Sequence, residues 1–176
     1  MRALVIYESM FGNTHLVADA IAEGLAQRGA NVTVTDPARV EEDMMKGLDL
    51  LVVGGPTHAR GMTRPGTRES AIDTAGKDPD LEIDPAANGP GVREWLDSMG
   101  LIDVAAAAFD TRIDAPPLLT GRAAKGIDGK LQRLGCKRVV EPESFLVTTK
   151  NELVDGELHR AKEWGSALVG RFVSTG

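Results

Sequence analysis

A short run near the N-terminus combines two hydroxyl side chains, an amide and a glycine, and could hold a phosphate group. Its residues are Ser9, Met10, Phe11, Gly12, Asn13 and Thr14. A phosphate needs hydroxyl donors, free backbone N–H groups and the partial positive charge of a helix N-terminus. The run has no Lys or Arg, so neutral donors would hold the anion. The alternative is that Asn13 or Thr14 only caps the helix that follows.

Apolar runs and amphipathic segments alternate along the chain and place residues 9–14 at the end of a strand. The expected strands are 3–7, 31–35, 48–53, 104–109 and 136–149, the last broken at Pro142. Segments with apolar residues at helical spacing separate them. This order predicts a three-layer α/β fold, a doubly wound five-stranded parallel sheet with helices on both faces. In such sheets ligands bind at the carboxyl ends of the strands.

One long connection, residues 56–89, interrupts the alternation. It contains Pro65, Pro79 and Pro85, and residues 67–75 have the composition of a short helix. A connection of this length inside a compact domain is usually functional or mobile. We expect it to be an insertion after the third strand and a candidate lid. It would belong to a single domain of residues 1–176, with a frayed tail at 174–176.

Other nucleotide-binding α/β proteins have motifs that this sequence lacks. The run from Gly126 to Lys130 has neither the spacing nor the hydroxyl of a P-loop. No Gly-x-Gly-x-x-Gly follows the first strand, as a dinucleotide site would require. The third strand ends in Gly54-Gly55-Pro56, where a receiver domain would have an aspartate.

Residues 9–14 resemble the FMN phosphate loop of the flavodoxin family, whose pattern is Ser/Thr-x-Thr-Gly-x-Thr. Phe11 departs from this pattern, because it occupies the position of a hydroxyl residue. A Ser-Met-aromatic-Gly version is similar to the flavodoxin-like modules of quinone reductases and flavodiiron proteins. The order of the elements extends the resemblance to essentially the whole chain. It implies FMN as the cofactor and a flavodoxin-like strand order of 2-1-3-4-5.

The resemblance also implies that loops after the third and fourth strands surround the flavin ring. Their residues are Pro56, Thr57, His58, Ala59, Arg60 and Gly61 in one loop, and Phe109, Asp110, Thr111 and Arg112 in the other. His58 either contacts the flavin or caps a turn. These loops lack the Trp and Tyr that sandwich the ring in carrier flavodoxins. We expect Trp95 and Trp164 in the core instead.

Arg60 and Arg112 are the basic residues of these two loops. Positive charge beside the pyrimidine end of a flavin stabilises a negative charge there and favours two-electron chemistry. One of the two arginines is therefore expected to approach that end, and the alternative is that both are solvated loop side chains.

Composition limits the classes of binding partner and the cellular compartment that we expect for the protein. The 176 residues include 26 acidic and 20 basic side chains, for a net charge of −6. A nucleic-acid partner is not expected, because such proteins carry a basic face, and no apolar stretch approaches the roughly 18–20 residues of a membrane span. Cys136 is the only cysteine and is expected to be a buried thiol. Without a disulfide or a signal peptide, the chain is predicted to be cytoplasmic. No metal site is expected.

The leading prediction is an FMN-binding redox protein that reduces a quinone or a similar small acceptor with two electrons from NAD(P)H. One alternative is a one-electron carrier whose acidic surface guides it to a redox protein partner. Another is a non-catalytic module with weak or no FMN binding. The catalytic residues, the electron donor and acceptor, and the oligomeric state remain open at this point.

Overall fold

A computed structural model describes the backbone of residues 1–175 and the side chains of residues 1–172. Its strands are β1 (Arg2–Tyr7), β2 (Asn31–Thr35), β3 (Leu50–His58), β4 (Gly61–Met62), β5 (Ala105–Ile113), β6 (Lys137–Arg138) and β7 (Glu143–Val147). Its α-helices are α1 (Asn13–Gln27), α2 (Glu42–Met45), α3 (Pro65–Ala75), α4 (Val92–Ser98), α5 (Pro117–Thr120), α6 (Ala123–Arg133) and α7 (Glu157–Thr175). Short 3-10 helices span Pro37–Arg39 and Pro85–Asn88.

The main sheet is parallel and doubly wound, as predicted. Its order is β2-β1-β3-β5, with β6 and β7 pairing successive parts of the outer edge of β5. The chain leaves the sheet between β6 and β7, where Pro142 has no N–H to donate to a ladder. Counted as one interrupted strand, these two complete the order 2-1-3-4-5. One detail was not predicted: β4 pairs antiparallel with the end of β3.

Helices cover both faces of the sheet, which confirms the three-layer architecture. Alternate residues of each strand point to opposite faces. Val5 and Val52 pack with α1 and α7, whereas Ile6 and Val53 pack with α4 and α6. No helix in residues 1–175 is both long and apolar enough to cross a membrane.

Strands β3 and β5 are longer than the sequence suggests, because they continue to pair beyond their apolar runs. Gly54 pairs with Phe109, Gly55 with Asp110 and Pro56 with Thr111. The prediction of loops is therefore wrong for residues 56–58 and 110–112, which are strand. Pairing between β3 and β5 at the centre of the sheet keeps the polar C-terminal ends of both strands extended.

The connection that follows β3 packs onto residues 9–14. Met10 lies with Ala71 and Ala87 in a small buried cluster, and the Asp84 N–H donates to the Met10 carbonyl at 2.8 Å. The insertion thus contains the helix α3 and contacts residues 9–14. Of the expected tail at 174–176, the structure describes the end of α7 through Thr175, and Gly176 lies outside the described residues.

Candidate functional site

The carboxyl ends of the central strands border a cleft of about 200 Å³. It contains parts of all three segments that the sequence singled out. Its lining residues are Ser9, Met10, Phe11, Asn13, Thr14, Pro56, Thr57, His58, Thr111, Arg112, Ile113, Val147 and Asn151. We call this the first cleft.

Residues 9–14 form a turn that leaves the N-terminus of α1 without a side-chain cap. The N-cap is Gly12, whose φ of 88° lies in the left-handed region that favours glycine. The alternative in which Asn13 or Thr14 caps α1 is therefore wrong. Ser9 Oγ accepts the Gly12 N–H at 3.0 Å, and the hydroxyls of Thr14 and Thr111 are 2.7 Å apart. With no acidic residue in its first turn, this helix end is open to an anion.

Residues 56–61, from the end of β3 to the start of β4, divide between two clefts. Pro56, Thr57 and His58 line the first cleft, whereas Ala59, Arg60 and Gly61 line a second one beyond the β3–β4 turn. His58 lines both. Burial lowers the pKa of His58 below its usual value, so the imidazole is neutral at neutral pH and can hydrogen bond without adding charge to the site.

Asp110 lies behind the first cleft and does not line it. Its Oδ2 accepts the Ala124 N–H at 2.8 Å and the Thr57 hydroxyl at 3.1 Å. Thr57 Oγ1 in turn accepts the Ala123 N–H at 2.8 Å. Asp110 therefore orients Thr57 at the N-terminus of α6. Burial raises the pKa of Asp110, although these hydrogen bonds oppose the shift.

Phe109 is fully buried, so its side chain cannot stack on a ligand in the first cleft. Its ring meets those of Phe145 and Trp164 edge to face, with centroids 6.2 and 6.4 Å apart. Trp95 is buried in the core, as predicted, and Trp164 is partly buried and packs against the core. Among the described aromatic side chains of Phe, Tyr and Trp, Phe11 is the one that lines the first cleft.

The two arginines of the predicted loops have different positions. Arg112 lines the first cleft, where its Nη1 donates to the Ala115 carbonyl at 2.7 Å. Its buried Nε has no hydrogen-bond partner in the described part of the chain. Arg60 is exposed in the β3–β4 turn and lines the second cleft. Only Arg112 therefore stands where it could act on a ligand in the first cleft.

Sequence reasoning missed the residues that the β7 end contributes. Asn13 Nδ2 donates to the Asn151 carbonyl at 2.8 Å and to its Oδ1 at 3.1 Å. Val147 and Asn151 complete the lining beside α1. The sequence did contain a signal, because Asn151 is a polar residue just after the predicted fifth strand. Residues 9–14 have the same position relative to the first strand.

A buried polar cluster beneath the site was also missed. The Glu8 carboxylate accepts the Val92 N–H at 2.9 Å and the Thr63 hydroxyl. Arg68 lies 3.8 Å from Glu8 and 3.0 Å from Glu94. This cluster ties the end of β1 to the connection and to α4. No group of three or more His, Cys, Asp or Glu side chains within the described range could hold a metal ion.

Comparisons with known proteins agree with this architecture. The family model for flavodoxin matches residues 5–109. Solved structures that resemble the chain include an archaeal flavodoxin, with a TM-score of 0.66, 20% identity and coverage of 98% of this chain and 99% of the other. Flavodoxin 1 of Bacillus cereus has a TM-score of 0.64, 21% identity and coverage of 99% and 98%.

A WrbA-like flavodoxin protein of Agrobacterium tumefaciens gives a TM-score of 0.60, with 18% identity and coverage of 98% of both chains. At these identities the structures show a shared fold. No curated protein matches the chain in sequence. The sequence match across residues 5–109 covers more than half of the protein, and the chain belongs to the flavodoxin family, whose cofactor is FMN.

Proposed function

We propose that this protein is an FMN-dependent oxidoreductase that transfers two electrons from NAD(P)H to a quinone or a similar small acceptor. The observation that carries the proposal is the position of Arg112, which brings a guanidinium to the first cleft with a buried Nε that has no hydrogen-bond partner among the described residues. Positive charge at this position favours addition of a pair of electrons to a bound flavin.

The residues of the first cleft fit FMN. The hydroxyls of Ser9 and Thr14 and the uncapped N-terminus of α1 would hold the phosphate. Nothing lies within 4 Å of the position that a side chain at Gly12 would occupy, so the backbone there is open to a ligand. Thr57, His58 and Arg112 would border the flavin ring. When bound, FMN would supply the ability to accept a hydride and to pass on two electrons.

The protein groups prepare the cleft for this chemistry. Asp110 and the N-terminus of α6 hold the Thr57 hydroxyl in one orientation. The neutral His58 offers a hydrogen-bonding nitrogen, and Arg112 supplies the positive charge. Residues of α3 line a third cleft with Phe11 and His58. We propose that the connection 56–89 closes this side of the site as part of one domain.

The overall reaction balances without another redox partner. NAD(P)H gives up a hydride, which is two electrons and one proton, and becomes NAD(P)+. The quinone gains two electrons and two protons and becomes a hydroquinone, with the second proton taken from solvent. The lone, buried Cys136 thiol is consistent with a reducing compartment, so we propose a cytoplasmic location.

Cofactor binding is tested by the absorbance spectrum of the freshly purified protein and by FMN titration followed through quenching of flavin fluorescence. Gly12→Asp should abolish binding, because it places negative charge at the phosphate position. Gly29→Asp is the matched control, since Gly29 has a similar φ of 85° and open space around it. Absence of binding to the wild type at millimolar FMN would favour the non-catalytic alternative.

The electron-transfer role is tested by steady-state NAD(P)H oxidation with a soluble quinone. We expect turnover that Arg112→Gln lowers. The second candidate, a one-electron carrier, is favoured by the net charge of −6, which would guide the protein to basic redox partners. A carrier would oxidise no NAD(P)H by itself, but would pass electrons from a reductase to a one-electron acceptor such as cytochrome c.

A further inference from the structure

The second cleft is a cationic pocket of about 190 Å³ next to the first. Arg60 from the β3–β4 turn, Arg64 at the start of α3 and Arg93 of α4 all line it. No acidic residue is among its lining residues. In a chain whose net charge is −6, this is a local concentration of the opposite sign.

Within the described side chains, no carboxylate pairs with the arginines of this cleft. Arg60 and Arg64 form no ion pair with any residue whose side chain is described. Arg93 donates from Nε to the Thr63 carbonyl at 3.0 Å and from Nη2 to the Met62 carbonyl at 2.9 Å. These neutral acceptors hold the Arg93 guanidinium against the cleft wall and leave its charge uncompensated.

The start of α3 adds to the positive potential. The helix has 11 residues and no acidic residue in its first turn, so the partial charge of its N-terminus is also unbalanced. Three guanidinium groups and a helix N-terminus are the donors that bind phosphate groups. Without an anion the like charges repel one another, so the cleft is suited to a ligand with more than one negative charge.

We propose that the second cleft binds the pyrophosphate of the pyridine dinucleotide that reduces the flavin, an inference that rests on the proposed function. His58 lines both clefts, so a ligand anchored by its anionic part in the second cleft extends directly to the first. A pyridine dinucleotide has this form, because one ribose separates its pyrophosphate from the nicotinamide that gives up the hydride. A simple quinone has no anionic group and would make no use of the arginines.

The test is isothermal titration of the FMN-loaded protein with ADP-ribose, which contains the pyrophosphate but lacks the nicotinamide. Arg64→Gln should raise the Kd for ADP-ribose about ten-fold, and the Arg60→Gln/Arg64→Gln double variant should raise it further, as expected for lost charge-assisted hydrogen bonds. The KM for NADPH should rise in parallel. Arg28→Gln removes an exposed arginine at the end of α1 and should change neither value.

The outcomes separate this proposal from the proposed function. If ADP-ribose binds the wild type and binding weakens in the arginine variants, the second cleft is a dinucleotide site even if quinone reduction is not observed. An unchanged Kd in the double variant would overturn the assignment. Binding of inorganic pyrophosphate at the arginines without any binding of ADP-ribose would also overturn it, because the cleft would then take small anions only.

Discussion

The hydroxyl of Thr57 donates to the buried carboxylate of Asp110, with 3.1 Å between Oγ1 and Oδ2. The same hydroxyl accepts the Ala123 N–H, and Asp110 Oδ1 has no hydrogen-bond partner within the described residues. A side chain of the first cleft is thus oriented by a charge that the protein hides from solvent. Because burial of the charged carboxylate costs free energy, the stability of the protein depends on pH.

Replacing Asp110 by Asn should flatten the pH dependence of stability. Burial raises the pKa of Asp110 above its usual 3.8, so the folded protein retains a proton that the unfolded chain has released. The free energy of unfolding therefore falls as pH rises from about 3.8 to the raised pKa, and it levels off above it. Urea unfolding across this range should show a smaller fall for Asp110→Asn. The exposed Asp114→Asn is the control, and parallel profiles for Asp110→Asn and wild type would contradict the prediction.

Gly54 is required because the ring of Phe109 occupies the space of its missing side chain. A Cβ at Gly54 would overlap the Phe109 ring atoms. We expect Gly54→Ala to destabilise the protein by about 1–3 kcal/mol, as overpacked cores do. Gly55→Ala, at the next position of β3, is the control, because its Cβ would lie 3.8 Å from the nearest atom. Equal midpoints of chemical unfolding for the two variants would show that the overlap relaxes at no cost.

The β3–β4 turn contains two strained residues, Ala59 with a φ of 46° and Arg60 with a φ of 70°. Glycine adopts this left-handed region without strain, whereas the Cβ of alanine raises the free energy of the folded state there. Ala59→Gly should therefore raise the free energy of unfolding by about 0.5–1 kcal/mol. In the exposed part of α1, Ala26→Gly should lower it by roughly 1 kcal/mol. Thermal unfolding checks the opposite signs, and a loss of stability in both variants would argue against strain in the turn.

The buried pair of Glu8 and Arg68 should be costly to break from one side only. Arg68→Met leaves the Glu8 carboxylate buried without its cation, and we expect a loss of about 3–5 kcal/mol. Adding Glu8→Gln should recover part of this loss, because the amide has no charge to compensate. Lys137→Met removes an exposed partner of Asp103 and should cost about 0–1 kcal/mol. Strictly additive losses in the double variant would rule out coupling between the two side chains.

The thiol of Cys136 should be unreactive in the folded protein. It is buried, and burial with the nearby Asp103 raises its pKa to about 11. The thiolate fraction at pH 8 is then about one in a thousand. Ellman's reagent should modify the native protein only at the rate of unfolding, and the denatured protein within minutes. Rapid modification of the native state would place Cys136 at the surface.

Local patterns were sufficient to predict the order of elements and the first loop. Apolar runs and helical spacing mark the main strands and the helices α1, α4, α6 and α7, and Pro142 marks the break in the outer strand. These features depend on residues close together in the chain, so the sequence by itself determines them. The prediction that residues 9–14 hold a phosphate rests on the same local information.

The tertiary structure decided which residues face the clefts. Phe109 and Asp110 follow one another in β5 and point to opposite faces, and the ladder with β3 keeps both out of the first cleft. Asn151 reaches Asn13, and Arg93 meets Arg60 and Arg64 at one cleft, only because the fold brings together segments that are distant in the chain. Strand register and chain crossing set these contacts, and neither is encoded in the spacing of neighbouring residues.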